Sequence, residues 1–312
     1  MKALCLFFLT ILASLGQQES TQTEARRFDL NGNSISAGSF ADTKVKTGDG
    51  EKATRVEYGV DVNGRKVPLS SVEETKQEIN GRTLITRIVR RFDQNGLPTS
   101  SERIQSEEQK SGKSSSGQTS IYRKDINGNE ILDEQSVSKS DGTTGTTDIL
   151  RRASDGSLVL AERQTSVTEE AEGGASKKSQ TVTYRKDNNG NLYAAVQETK
   201  ETVQKGNETV ETTAQYLRGG QGNLELAEQK VSRAVAQPDG SVSKVVDVFT
   251  SSVPGLTNTS GKPVLRERQS VEVRKGSNGA LVETTVSRKA TVDGGQLGEA
   301  RVVSETVVQK KP

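Results

Sequence analysis

Histidine and tryptophan are missing from this 312-residue chain, cysteine and methionine occur once each, and aromatic residues make up 4%. Without histidine there is no imidazole base, no Ser-His-Asp triad and no ordinary zinc site. The one thiol, Cys5, lies in the apolar run from Ala3 to Leu15, so a thiolate nucleophile or an iron-sulfur site is excluded from everything downstream. A pair of carboxylates could still hydrolyse a glycoside without histidine. Sugar grooves are lined by aromatic rings, however, and Asp and Glu are spread evenly here. The sequence reads as non-enzymatic, with no cofactor.

Charge is balanced, with 43 Lys and Arg against 41 Asp and Glu. The two signs alternate along the chain, so no basic patch suggests nucleic acid and no acidic tail appears. Leu, Ile, Val and Phe after Gly16 make up about one fifth of the residues, near the level below which highly charged chains do not fold. A thick two-layer core is therefore not expected.

Lys2, the apolar run and the small residues Ser14, Leu15 and Gly16 have the form of a secretory signal peptide. The expected organisation is a signal at 1–16 followed by a single domain at 17–312. A secreted chain without disulfides points to a bacterial envelope, periplasmic or at the cell surface.

The positive content of the sequence is a repeat. Asp, any residue, Asn or a substitute, then Gly recurs at Asp29–Gly32, Asp61–Gly64, Asp93–Gly96, Asp125–Gly128 and Asp187–Gly190, and the first four glycines are 32 residues apart. This is the chemistry of a type I turn closed by a bulge: Asp caps the turn and Gly takes the left-handed position. In Thr181–Gln197 such a turn would set Lys186 opposite Leu192, Tyr184 opposite Ala194 and Val182 opposite Val196. Val182, Tyr184, Leu192, Ala194 and Val196 would then share one face. A second, variable set of turns lies halfway between, so each repeat is two strands. The fold class is all-β: a repetitive antiparallel meander of about 16–18 strands, forming an extended or coiled single sheet.

Three residues before the Asp position stand Tyr58, Tyr122, Leu150, Tyr184 and Tyr216, which neighbouring repeats would stack into an apolar ladder. Basic pairs precede the turn at Arg90 and Arg91, Arg123 and Lys124, Arg151 and Arg152, and Arg185 and Lys186. Carboxylates follow it at Glu102, Glu130, Glu134, Glu162 and Glu198, so cross-strand ion pairs are expected. The segment Thr250–Pro263 breaks the spacing and reads as an irregular insertion. The last strand, near Ala300–Gln309, reads as an exposed edge protected by Lys310, Lys311 and Pro312.

The strings YRKDINGN at 122–129 and YRKDNNGNL at 184–192 resemble the YD repeats of the RHS family, whose aromatic, Asp, Gly and apolar residues recur at this spacing. The resemblance implies a secreted, spiralling β-sheet scaffold. The polar strands are also similar in composition to single-layer-sheet surface proteins. An outer-membrane barrel would suit the strand number and length. It conflicts with stretches such as Glu198–Thr213, which place charge on both faces. The functional expectation is thus a non-enzymatic scaffold or interaction protein of the bacterial envelope, its partner a protein or polysaccharide, without a permanent membrane span. The alternative is a carbohydrate- or calcium-binding surface module, since Asp and Asn oxygens two apart are partial calcium ligands.

Overall fold

The computed structural model describes residues 19–29, 34–47, 50–61, 63–238, 241–251, 263–276, 280–290 and 296–311. The signal segment, residues 252–262 of the expected insertion, and Asn31 and Gly32 of the first turn lie outside these.

Eighteen strands follow one another in the described chain, and the only other regular element is a single 3-10 turn at Glu172–Gly174. They are β1 (Glu19–Phe28), β2 (Ser34–Thr47), β3 (Gly50–Val60), β4 (Lys66–Ile79), β5 (Arg82–Phe92), β6 (Pro98–Ser111), β7 (Ser114–Lys124), β8 (Glu130–Ser140) and β9 (Thr144–Arg152). The second half comprises β10 (Leu158–Glu170), β11 (Ser176–Lys186), β12 (Leu192–Lys205), β13 (Glu208–Arg218), β14 (Leu224–Ala236), β15 (Val242–Thr250), β16 (Val264–Lys275), β17 (Leu281–Lys289) and β18 (Arg301–Lys311). Each pairs antiparallel with its neighbours in sequence, and β1 also pairs with β18, from Ser20 opposite Lys311 to Arg27 opposite Ser304.

The meander is therefore closed. An open or coiled sheet is overturned by the β1–β18 ladder, and the last strand is no edge, because its main chain is paired on both sides. Passing from partner to partner once round the wall returns to β1 about 20 residues from the start. With strands ~4.8 Å apart and a rise of ~3.3 Å per residue, that stagger gives a tilt of about 40° and a circular backbone radius of about 17 Å.

The wall is one residue thick. The chain exposes 21037 Å², where a compact globule of this mass would expose about 13,000 Å². Among the described residues the buried apolar side chains are Ala195, Ala214 and Ala280 only. Stability rests on the ladders, on cross-strand pairs and on closure, which leaves no unpaired edge.

Closure has a local cause that the turn chemistry does not display. Every hairpin that runs from an odd strand to the next even strand carries a register shift close to its turn, for example between Arg91 and Phe92, Ile121 and Tyr122, Thr183 and Tyr184, and Gln215 and Tyr216. Pairings from an even strand to the next odd strand show none, as in β4–β5, β6–β7 and β12–β13. A β-bulge adds local right-handed twist and bends the strand that holds the extra residue. Repeated round one rim, it curls the sheet.

The bulge also corrects one register. Lys186 does face Leu192 and Tyr184 faces Ala194, but Val182 faces Gln197, because Ala195 is the extra residue. Val196 is moved to the face of Thr183 and Arg185.

Candidate functional site

Curvature distinguishes the two faces of the wall. Side chains splay apart on the convex side of a barrel and crowd together on the concave side. Along β7, Ser114, Ser116 and Gln118 are exposed while Ser115, Gly117 and Thr119 between them are half-buried. Along β9, Thr144 and Thr146 are exposed and Gly145 and Thr147 are not. The exposed set shares its face with Tyr122 and Leu150, which is therefore the outward one. Arg123 and Arg151 belong to the inward set.

At the rim of the bulges, the turns at Asp93, Asp125 and Asp187 have one geometry. In the first, the Gly96 N–H donates to the Asp93 carbonyl at 3.0 Å, and Asp93 Oδ1 accepts the N–H groups of Asn95 and Leu97 at 2.8 and 2.9 Å. Gly96 has φ +79 and Gly190 φ +83, the left-handed region that a side chain would strain. The same two caps occur at Asp61, where Oδ1 accepts from Asn63 and Arg65. Asp29 is the last described residue before its turn, and Gly32 lies outside the described residues.

At Asp125 and Asp187 these bonds hold the carboxyl below the usual carboxylate range. At Asp125 the main cause is the Asn129 N–H and at Asp187 the Asn191 N–H. At Asp141, on the opposite rim, the Thr144 N–H and hydroxyl lower it to about 2. Their lone pairs are used on the backbone, and no group of three or more metal-ligating side chains occurs among the described residues.

The aromatic column lies just below this rim on the outward face. Tyr122 faces Leu132, Leu150 faces Leu160, Tyr184 faces Ala194, Tyr216 faces Leu226, and Tyr58 faces Pro68. From the neighbouring hairpin, however, the partners are Arg103, Gln135, Arg163, Gln197 and Ser39. Polar residues interrupt the ladder, and cations cap its rings: the Arg103 guanidinium lies 4.0 Å over Tyr122 and Lys66 Nζ 4.4 Å over Tyr58. Phe28, Phe92 and Phe249 extend the row by register. Only Phe40 and Tyr193 of the described aromatics belong to the inward set.

Lower on the outward face the wall is polar. Gln105, Ser120 and Gln135 stand side by side, as do Gln180, Thr199, Ala214 and Gln229. Arg163 binds both oxygens of Asp148 at 2.6 and 2.8 Å, and Arg268 binds both of Asp247 at 2.6 and 2.9 Å.

The inward face carries a continuous belt of charge across β6–β11. Arg123 contacts Glu102 at 2.9 Å and Asp133 at 2.6 Å. Arg151 contacts Glu134 at 2.9 Å and Glu162 at 3.5 Å, and Arg185 reaches the same Glu162 at 3.3 Å. Further inward pairs are Lys44 with Glu51, Arg55 with Asp42, Arg87 with Glu74, and Lys200 with Glu211. No described element crosses the space this face encloses. Sequence reasoning found the ion pairs and missed their enclosure.

The architecture matches solved outer-membrane porins. OpdO of Pseudomonas aeruginosa aligns with a TM-score of 0.57 at 8% identity, covering 94% of this chain and 95% of that one. OccK2 (OpdF) of the same organism gives 0.53 at 8% identity, covering 94% and 97%, and its OpdL gives 0.52 at 10%, covering 94% and 97%. No protein-family profile and no curated protein matches the chain.

At such identities the likeness is one of fold, and it replaces the YD-repeat reading: the hairpins belong to a closed barrel, not a spiralling scaffold. The same likeness overturns the secreted scaffold, the carbohydrate- or calcium-binding module, the surface protein or polysaccharide partner, and the absence of a membrane span that was argued from charge on both faces of Glu198–Thr213. No described helix is long and apolar enough to cross a membrane, which says nothing of crossing by strands. The chain has the 18-stranded antiparallel barrel fold of the outer-membrane porins.

Proposed function

We propose that this chain is a passive channel of an outer membrane, a water-filled β-barrel without enzymatic activity. The observation that carries the reading is closure: β18 pairs with β1, and no described segment fills the interior. A backbone radius of about 17 Å, less ~6 Å of side chain, leaves an opening about 20 Å across. Strands of 11 residues, such as β7 and β11, tilted at about 40°, span ~28 Å, close to the hydrocarbon thickness. The outward aromatic row at one rim suits a membrane interface. A signal at 1–16 would deliver the chain across the inner membrane.

The outward face below the row differs from an ordinary lipid face, because charged side chains stand there, among them Glu201, Glu208 and the ion-paired Arg82, Arg90, Arg163 and Arg268. An unpaired arginine at the bilayer midplane of a barrel costs about 2–4 kcal/mol. Bidentate pairing removes the net charge but not the polarity. The test is incorporation of residues 17–312 into planar bilayers. Stepwise, long-lived conductance with the β-sheet circular dichroism spectrum retained is the expected result. A folded barrel that neither partitions into liposomes nor conducts would overturn the reading.

A further inference from the structure

We infer that the inward belt Glu102, Arg123, Glu134, Arg151, Glu162 and Arg185 sets the solute class of the passage, favouring small zwitterions over net anions and cations. This rests on the channel reading and goes beyond it. Three properties of the belt carry it. The six side chains lie on six adjacent strands in strictly alternating sign, and with Asp133, which also binds Arg123, the two signs nearly balance over that arc. Groups in the middle are shared: Arg151 lies between Glu134 and Glu162, and Glu162 between Arg151 and Arg185. The arginine side chains remain about half exposed, at 55% for Arg123, 52% for Arg151 and 51% for Arg185.

A shared charge can release one partner and keep the other. A passing carboxylate can therefore take one position on an arginine without leaving a bare carboxylate behind, provided the solute also carries an ammonium for the partner that was displaced. Neighbouring strands stand about 4.8 Å apart, which is within the reach of the two charges of an amino acid or short peptide. A solute with a single charge displaces one member and strands the other. An alternating belt thus offers exchange to zwitterions and little net attraction to either kind of ion.

The experiment is swelling of liposomes containing the barrel in alanine, N-acetylalanine and alaninamide, a zwitterion, an anion and a cation of similar size. Alanine is expected to enter fastest. The triple variant Glu102→Gln, Glu134→Gln, Glu162→Gln removes the carboxylate partners of Arg151 and Arg185, leaves Arg123 with Asp133 alone, and should raise the rate for N-acetylalanine relative to alaninamide several-fold. Arg123→Gln, Arg151→Gln, Arg185→Gln should reverse that order, so the inference survives a folding failure of one variant. Swelling with equal rates for all three solutes, or with ratios unchanged in both folded variants, would overturn it. No swelling with any solute, with the native barrel inserted, would instead count against the channel reading itself.

Discussion

The two rims of the barrel are built from the same strands and obey different rules. At one rim every hairpin carries a bulge, and described turns share one five-residue geometry, from Asp93 to Leu97 and from Asp187 to Asn191. At the other no pairing shifts, and the connections differ. Asn80 and Gly81 form a two-residue turn with φ +52 and +73, whereas Ala171 and Ser176 are joined through a 3-10 turn. The difference teaches that curvature is imposed from one end. Where bulges bend the strand, turn geometry must be held; where the strands run straight, connections are free to vary.

Removing a bulge should have the largest effect. Deleting Ala195 removes the extra residue and keeps Val196 opposite Thr183 and Gln197 opposite Val182, so the register survives while the local twist and bend of β12 are lost. The variant is expected to melt well below the native barrel, whereas deleting Gly173 from the 3-10 turn of the opposite connection should shift the transition only slightly. A comparable loss from both deletions would erase the distinction between the rims.

Next in size are the turn residues. Gly190→Val forces a β-branched residue into the left-handed region and should cost about 2 kcal/mol. Asp93→Ala removes two caps and should cost about 1 kcal/mol in chemical denaturation.

Acid should act on both rims in one direction. The carboxyls of Asp125, Asp187 and Asp141 are lowered in the folded state, so their contribution is present above the unfolded value near 4 and is lost as pH falls through the folded values, to about 2 for Asp141. Melting temperature should fall between pH 5 and pH 2, and less so in Asp125→Asn, Asp187→Asn. The smallest effect is expected for Arg103→Ala, which loses the stack on Tyr122 and the bonds to Glu130, together about 0.5–1 kcal/mol.

Much of the regular rim was legible in the residues. Asp and Gly at fixed spacing gave the turns, and with them the pairing of Lys186 with Leu192. The bulge was not read, although a trace of it exists: in LYAAVQET the outward positions Leu192 and Ala194 are followed by Gln197 and Thr199, a break in the period of two. Missing it moved Val196 to the wrong face. It also hid the curvature, so a sheet that closes was read as one that stays open. Polarity could not correct the error. Glu198, Lys200 and Glu211 face inward while Glu201 and Glu208 face outward, so no strand reveals which side encloses water. Closure depends on accumulated stagger over eighteen strands, a sum to which each hairpin contributes too little to be recognised alone.

The most direct test is a covalent bridge across the seam. The chain from residue 17 has no cysteine, so Glu24→Cys and Val307→Cys, opposite one another in β1 and β18, would be its only thiols. In the barrel their strands are neighbours; in an open sheet they would be about 80 Å apart at ~4.8 Å per strand. Closure predicts rapid, concentration-independent formation of an intramolecular disulfide, seen as loss of both thiols and faster migration without reductant. Thiols that stay free in the folded protein, or that link only separate molecules, would contradict it.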